Sequence, residues 1–376
     1  WLKAAPHALV RARPAAAMAP QDFIKGWPHQ ELLSYPGLRE AMLKSYMKGL
    51  EMSHESLNYG DGANGAYMLG HPVFRKSLAA FLEKQYKLPV DWRNLMSTCG
   101  SSMGTDIACR MHCAAGDIAV VEEPTYYLSF TIIRDRGMSL LGVPMQDDGM
   151  DLDALEKLLK EQGGKIKMLY MQPVHQNPTG AIMPDAKRQR LVALAREHRF
   201  VIAADEAYQL LNFEPVESKP MFYYDDPEDP RVLSIGTFSK LIGPGIKVGW
   251  VQAHEKLLKP LANVGFVDSG NNPVIFSSCN LIDFLDSGAC ATHIEHVSKD
   301  LGERCALMCS KLREAGLEVR QPKGGYFVFL KSNGKITGRS GECMVIAKDR
   351  FHDWMRLCFC WLPPEKIIEG IEYLKE

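Results

Sequence analysis

The chain has 376 residues, room for one large α/β unit with a smaller companion domain. Its 44 Lys and Arg against 45 Asp and Glu leave a formal charge of −1, too balanced for a global field that would attract nucleic acid or anionic lipid. No window approaches the roughly 18–20 uninterrupted apolar residues of a spanning helix, so a water-soluble chain is expected, and ten cysteines without a CxxC pair read as reduced thiols.

The first twenty residues are Ala-rich, carry Lys3, Arg11 and Arg13, and have no acid before Asp22. Two readings stay open: a remnant of an organelle transit peptide, or upstream read-through ahead of Met18. Cytoplasmic placement is expected, with a mitochondrion or plastid following from the transit-peptide reading. From about residue 75 to 260, short β-branched runs alternate with helical patterns, the signature of a parallel sheet covered on both faces. The candidate strands are 95–98, 118–122, 139–143, 168–171, 201–204, 232–235 and 248–251, and the helices between them include 102–113, 152–161 and 184–198. In the last helix Leu191, Val192, Leu194 and Ala195 form an apolar face while Lys187, Arg188, Arg190 and Arg196 point outward. Cys109, His112 and Cys113 lie along one helix face at i, i+3 and i+4, a spacing that suits a buried face better than a metal site, and no metal is expected. After about 270 the texture changes to long amphipathic helix, 280–315, then a short strand, 326–330, and a final helix after Pro364. This C-terminal part reads as an α+β companion, completed by the N-terminal segment 23–52.

Ligands of open α/β sheets sit beyond the carboxyl ends of the strands. Those positions hold Gly100-Ser101-Ser102-Met103-Gly104, Glu123-Pro124-Thr125-Tyr126, His175-Gln176-Asn177-Pro178-Thr179-Gly180, Asp205-Glu206-Ala207-Tyr208 and Gly236-Thr237-Phe238-Ser239-Lys240. They combine a phosphate cradle, an aromatic face, an amide, an acid, a phenol and a lysine. Pyridoxal phosphate uses all of these, because its aldehyde joins a lysine, its ring nitrogen must stay protonated and its phosphate needs aligned N–H donors.

The ordered motifs NPTG (177–180), DEAY (205–208), TFSK (237–240) and PGIKVGW (244–250) resemble fold type I aminotransferases of class I/II. Within these the chain is most similar to the branch of aromatic, kynurenine and 2-aminoadipate aminotransferases. The resemblance implies a doubly wound, mostly parallel seven-stranded sheet with a smaller α+β domain. Residues 53–270 would form the large cofactor-binding domain, 21–52 with 271–376 the small one, and 1–20 an unstructured or targeting remnant. It implies that Lys240 is the Schiff-base lysine and the acid/base of proton transfer. Asp205 would hold the ring nitrogen protonated, Tyr208 and Asn177 would donate to the ring hydroxyl, and Tyr126 would stack on the ring. Ser101, Ser102, Thr237 and Ser239 match phosphate positions, and Tyr59 is similar to a tyrosine lent by the neighbouring subunit of a homodimer. Arg356, with Asn177, would bind the substrate α-carboxylate.

Two departures stand out. Lys247 occupies a place where the family has an arginine on the phosphate, keeping charge but losing the fork. Between the 324–327 stretch and Arg356 the chain is about twenty residues short, by comparison with the family pattern just named. The function implied is amino transfer between an L-amino acid, aromatic or 2-aminoadipate-like, and a 2-oxo acid such as 2-oxoglutarate. A β-elimination lyase shares the same lysine and acid, and a non-catalytic regulator on the same scaffold would need a DNA-binding segment.

Overall fold

The computed structural model describes residues 22–59, 67–332, 334, 336, 338–347 and 350–372. Residues 1–20, with both readings of them, lie outside the described residues. The main sheet comprises β1 (Leu95–Thr98), β2 (Ile118–Glu123), β3 (Ser139–Gln146), β4 (Gly149–Met150), β5 (Ile166–Met171), β6 (Val201–Asp205), β7 (Val232–Thr237) and β8 (Gly249–Gln252). Their order is β1-β8-β7-β6-β5-β2-β3-β4. The run from β3 through β2, β5 and β6 to β7 is parallel. β8 is antiparallel to both β7 and β1, and the two-residue β4 folds back on β3. The seven expected strands are all present, with β4 as an eighth.

Alternation along each strand decides which layer a residue enters. Met168 and Tyr170 of β5 join one core with Ala203 of β6 and Leu233 of β7. Leu169 and Met171 join the opposite core with Ile202 and Ala204. Two apolar faces need two covers. The helix Gly100–His112 supplies Ile107 and Ala108 to the first, and the helices Leu152–Gln162 and Asp185–His198 supply Leu155, Leu159, Leu191 and Leu194 to the second. Arg188 of the last helix does not point outward as expected: it is fully buried, because its guanidinium finds acceptors in Met183 O, Pro173 O and Ser218 Oγ. Cys109 is part of that packing, its Sγ 3.8 Å from Met168 Sδ. Among the described residues no three His, Cys, Asp or Glu side chains are grouped to hold a metal ion.

The C-terminal part adds a second, antiparallel sheet of β9 (Phe327–Lys331), β10 (Arg339–Ser340) and β11 (Trp354–Cys358), in the order β10-β11-β9. A third core links Phe23 and Leu32 to the helix Pro72–Tyr86, the helix Ala289–Glu314 and both long strands of this sheet. The stretch 280–315 is not one helix. It divides into Ile282–Asp286 and Ala289–Glu314 at Gly288, whose φ of +83° ends the first segment. Among the described residues no helix is long and apolar enough to cross a membrane.

Candidate active site

The carboxyl ends of β2, β5 and β6 meet the N-terminal segment and the small sheet around a pocket of about 280 Å³. Of the residues singled out in the sequence, Ser101, Tyr126, Asn177, Asp205, Tyr208, Lys240 and Arg356 line it. Lys240 Nζ donates to Gly26 O at 3.1 Å, and its backbone carbonyl accepts the Tyr326 hydroxyl at 2.6 Å. Burial lowers the Lys240 ammonium below its usual range, opposed by nearby acidic groups including Asp205.

Asp205 ends β6, where a run of apolar residues leaves an acid costly unless it is paired. Tyr170 donates to its Oδ2 at 2.8 Å, while Oδ1 is buried with no hydrogen-bond partner. Burial raises the carboxyl above its ordinary value and the Tyr170 hydrogen bond opposes that rise. Burial likewise pushes the Tyr126 hydroxyl up to about 12, and the Tyr208 hydroxyl well above its usual range.

The turn that carries Asn177 is pinned from behind. Gln172 Oε1 accepts the Asn177 N–H at 3.0 Å, and Gln176 Oε1 accepts both the N–H and the hydroxyl of Thr179. Glu122 Oε2 in turn receives the Gln172 N–H and Gln176 Nε2, at 3.1 and 3.0 Å. Asn177 Oδ1 accepts from Arg356 Nη1 at 3.2 Å, and Arg356 Nη2 donates to Ile24 O at 3.1 Å. The Arg356 guanidinium lies 4.0 Å from the centre of the Phe327 ring. A Cβ on Gly26 would fall 2.8 Å from Phe327 Cζ, so a side chain there would have to displace the Phe327 ring that lines the pocket.

The helix Gly100–His112 points its N-terminus at this region, and its N-cap Cys99 makes no side-chain capping bond. The N–H groups of its first turn therefore lack side-chain acceptors and form a ready anion site. Thr237 Oγ1 and Ser239 Oγ hydrogen-bond at 2.9 Å, and each lies 3.6 Å from the position a Cβ on Gly100 would take. They flank the helix start without lining the pocket. Ser102 is exposed and outside the lining. Lys247, at φ +52°, is also exposed and outside it. Tyr59 is 70 % exposed and does not line its own chain's pocket.

Residues 38–374 match the family model for aminotransferase class I and II. The chain belongs to the class I and II aminotransferases. It is 31 % identical over 328 residues to aromatic-amino-acid aminotransferase 1 of Thermococcus litoralis, spanning 82 % of this chain and 78 % of that one. It is 31 % identical over 241 residues to a 2-aminoadipate transaminase of Thermus thermophilus, covering 63 % and 60 %. The kynurenine aminotransferase of Pyrococcus horikoshii, solved with PMP, KYN and KYA, superposes with a TM-score of 0.82 at 26 % identity, covering 94 % of this chain and 89 % of that one.

This aminotransferase is a transaminase, and its family implies pyridoxal phosphate as the cofactor. The residues present fit that group: the orphaned Asp205 Oδ1 suits a protonated ring nitrogen, the uncapped helix N-terminus suits a phosphate, and Lys240 supplies the amine. Sequence reading missed Tyr170, Gln172, Tyr127 and Arg339, as well as Trp27 of the N-terminal segment. Tyr170 left a signal, since a phenol in the otherwise apolar strand β5 needs a buried partner. The others carry none, because they reach the pocket from a loop and from a two-residue strand.

Proposed function

We propose that the chain transfers the amino group of an L-amino acid, aromatic or 2-aminoadipate-like, to a 2-oxo acid such as 2-oxoglutarate, with Lys240 as the catalytic residue. The observation that carries this is the shared pocket of Lys240 and Asp205, in which a buried carboxylate oxygen lacks a partner. Pyridoxal phosphate, when bound, supplies an aldehyde for the amino group and a protonated ring that accepts the electron pair left at Cα. Asp205 holds the proton on the ring nitrogen through a charge-assisted hydrogen bond. Lys240 Nζ removes the proton from the substrate Cα, a task helped by burial that disfavours its charged form. Because Asn177 Oδ1 already accepts from Arg356, its Nδ2 is left to donate to the ring hydroxyl beside Tyr208. Arg356 grips the α-carboxylate, and Tyr126 covers the ring face. The helix N-terminus with Ser101, Ser102, Thr237 and Ser239 holds the phosphate, and Lys247 adds charge to it.

The relatives' names support the amino-acid classes: aromatic amino acids in one, 2-aminoadipate in another. We further infer a homodimer in which Tyr59 completes the neighbouring site, in keeping with its exposure and its absence from the lining of its own pocket. The proposed division takes 53–270 as the cofactor domain and 21–52 with 271–376 as the small domain, supported by the two separate sheets. A cytoplasmic setting suits its free thiols.

Product analysis tests the reaction. With L-phenylalanine or L-2-aminoadipate and 2-oxoglutarate, the expected outcome is parallel-line ping-pong kinetics and one glutamate for each new 2-oxo acid. Equal amounts of pyruvate and ammonia from L-serine, whose Cβ hydroxyl can leave, with no glutamate formed from the other donors, would instead establish an elimination lyase.

A further inference from the structure

Two cations of the pocket rest on consecutive aromatic rings. Lys240 Nζ lies 5.5 Å from the centre of the Tyr326 ring, and the Arg356 guanidinium lies 4.0 Å from that of Phe327. Tyr326 is outside the pocket lining and only 1 % exposed, so it meets Lys240 from behind. Its hydroxyl is committed to the same residue, donating to the Lys240 carbonyl at 2.6 Å. Its ring also packs on Tyr208, with centroids 5.3 Å apart. One side chain therefore grips the main chain of the lysine, underlies its amine and supports a neighbouring phenol.

The backbone of Tyr326 is held by the small sheet. Its carbonyl accepts the Phe359 N–H at 3.2 Å, and the next residue begins β9, which pairs along its length with β11, the strand of Arg356. Lys240, by contrast, follows β7 of the main sheet. Tyr326 is thus a junction through which the sheet carrying Arg356 fixes the position of Lys240. The face of a ring beneath an ammonium favours the charged form. The other charged and titratable groups acting on the amine are Asp205 of β6, Arg356 and Cys358 of β11, and Cys360 just beyond it, while the N-terminal segment meets it through the neutral Gly26 carbonyl. A substitution at 326 leaves all of these in the chain.

We propose that Tyr326 is a positioning residue for Lys240: its hydroxyl fixes the lysine main chain, and its ring steadies the ammonium formed when the Nζ lone pair takes the Cα proton. The proposal rests on the transaminase reading and adds a residue to it.

The test compares wild type with Tyr326→Phe, which keeps the ring and loses the hydroxyl, and Tyr326→Met, which loses both while filling the space. In the full chain freed of cofactor, trace acetylation with acetic anhydride and peptide mass spectrometry read the free-amine fraction of Lys240 as pH is varied. Tyr326→Met should move the midpoint of that curve down, raising labelling near neutral pH roughly 2- to 20-fold, the range expected for losing a cation–ring contact. Tyr326→Phe should leave the midpoint in place. In the holoenzyme, with Cα-protonated and Cα-deuterated L-phenylalanine, kcat should fall roughly 2- to 10-fold in Tyr326→Phe, the effect of one neutral hydrogen bond, and further in Tyr326→Met. Both variants should raise the deuterium isotope effect on kcat and leave KM for the donor within about twofold, since Arg356 keeps its own ring. A residue with a merely structural role would lower the melting temperature without moving the acetylation midpoint or the isotope effect. A midpoint that stays or rises in Tyr326→Met, or an isotope effect unchanged in both variants, would overturn the role of Tyr326. Where Tyr326→Met fails to fold, the isotope effect of Tyr326→Phe decides. Wild type that turns over no amino donor would overturn the transaminase reading instead, and the acetylation curves would still judge Tyr326 separately.

Discussion

Behind the residues that face the pocket stands Glu122, a carboxyl fully buried at the end of β2 whose Oε2 gathers two glutamine donors. Burial pushes its carboxyl up to about 8 from an ordinary value of 4.5, with the Gln176 hydrogen bond opposing. Between those two values the folded chain keeps a proton that the unfolded chain has released. Stability contributed by this group is therefore complete below pH 4.5, falls as pH rises through the window, and levels above about 8. Glu122→Gln removes that dependence while keeping an acceptor oxygen for the two donors. The melting temperature of the variant relative to wild type, at fixed cofactor concentration, should shift in the variant's favour between pH 5 and pH 8. A difference that stays flat over that range would mean Glu122 is ionised in the fold.

At the scale of elements, the site depends on how closely the helix Gly100–His112 sits on the sheet. A Cβ on Gly104 would lie 2.7 Å from Ile235 Cγ2 and 3.3 Å from Val251 Cγ2, on strands β7 and β8. Gly104→Val therefore lifts the helix or crowds the core, at a cost of about 1–3 kcal/mol in a denaturant melt. Because the same helix offers its N-terminus to the phosphate, the variant's dissociation constant for pyridoxal phosphate should rise as well. An unchanged melt and unchanged affinity would place the helix elsewhere. The strands that carry this architecture were legible because Met168, Leu169, Tyr170 and Met171 alternate between two apolar cores, a period that sequence shows directly. β4 and β10 were not, since two residues carry no period, and β11 hides an arginine inside a short mixed run. The break at Gly288 escaped notice because the apolar helical pattern continues on both sides of it.

For the whole molecule, seven residues named from motifs far apart in sequence surround one pocket, from Ser101 to Arg356. Motif order revealed six of them because each sits at or just beyond the carboxyl end of a strand of the main sheet, whereas Arg356 lies within β11 of the second sheet and came from its own short motif. Arg339 and Trp27 stayed hidden because only tertiary folding brings the N-terminal segment and the second sheet over that edge. Tyr59 belongs to a larger scale still, since it is exposed and outside its own pocket. If the site is shared between copies, mixing Tyr59→Ala chains with Lys240→Ala chains should recover activity that neither variant has alone, because one site of each mixed dimer combines an intact Lys240 with an intact Tyr59. Recovery is read as turnover after co-refolding or subunit exchange. A mixture no more active than its better component would mean each site is complete within one chain.

The central claim is that Lys240 holds the cofactor and performs the proton transfer. It is tested most directly by reducing the holoenzyme with borohydride, digesting it and mapping the phosphopyridoxyl group, alongside Lys240→Ala. The account predicts the label on Lys240 in wild type, its prior removal by a competent amino donor and return with a 2-oxo acid, and loss of at least about 10³-fold in turnover for Lys240→Ala. A label on another lysine, or turnover that survives Lys240→Ala, would contradict it.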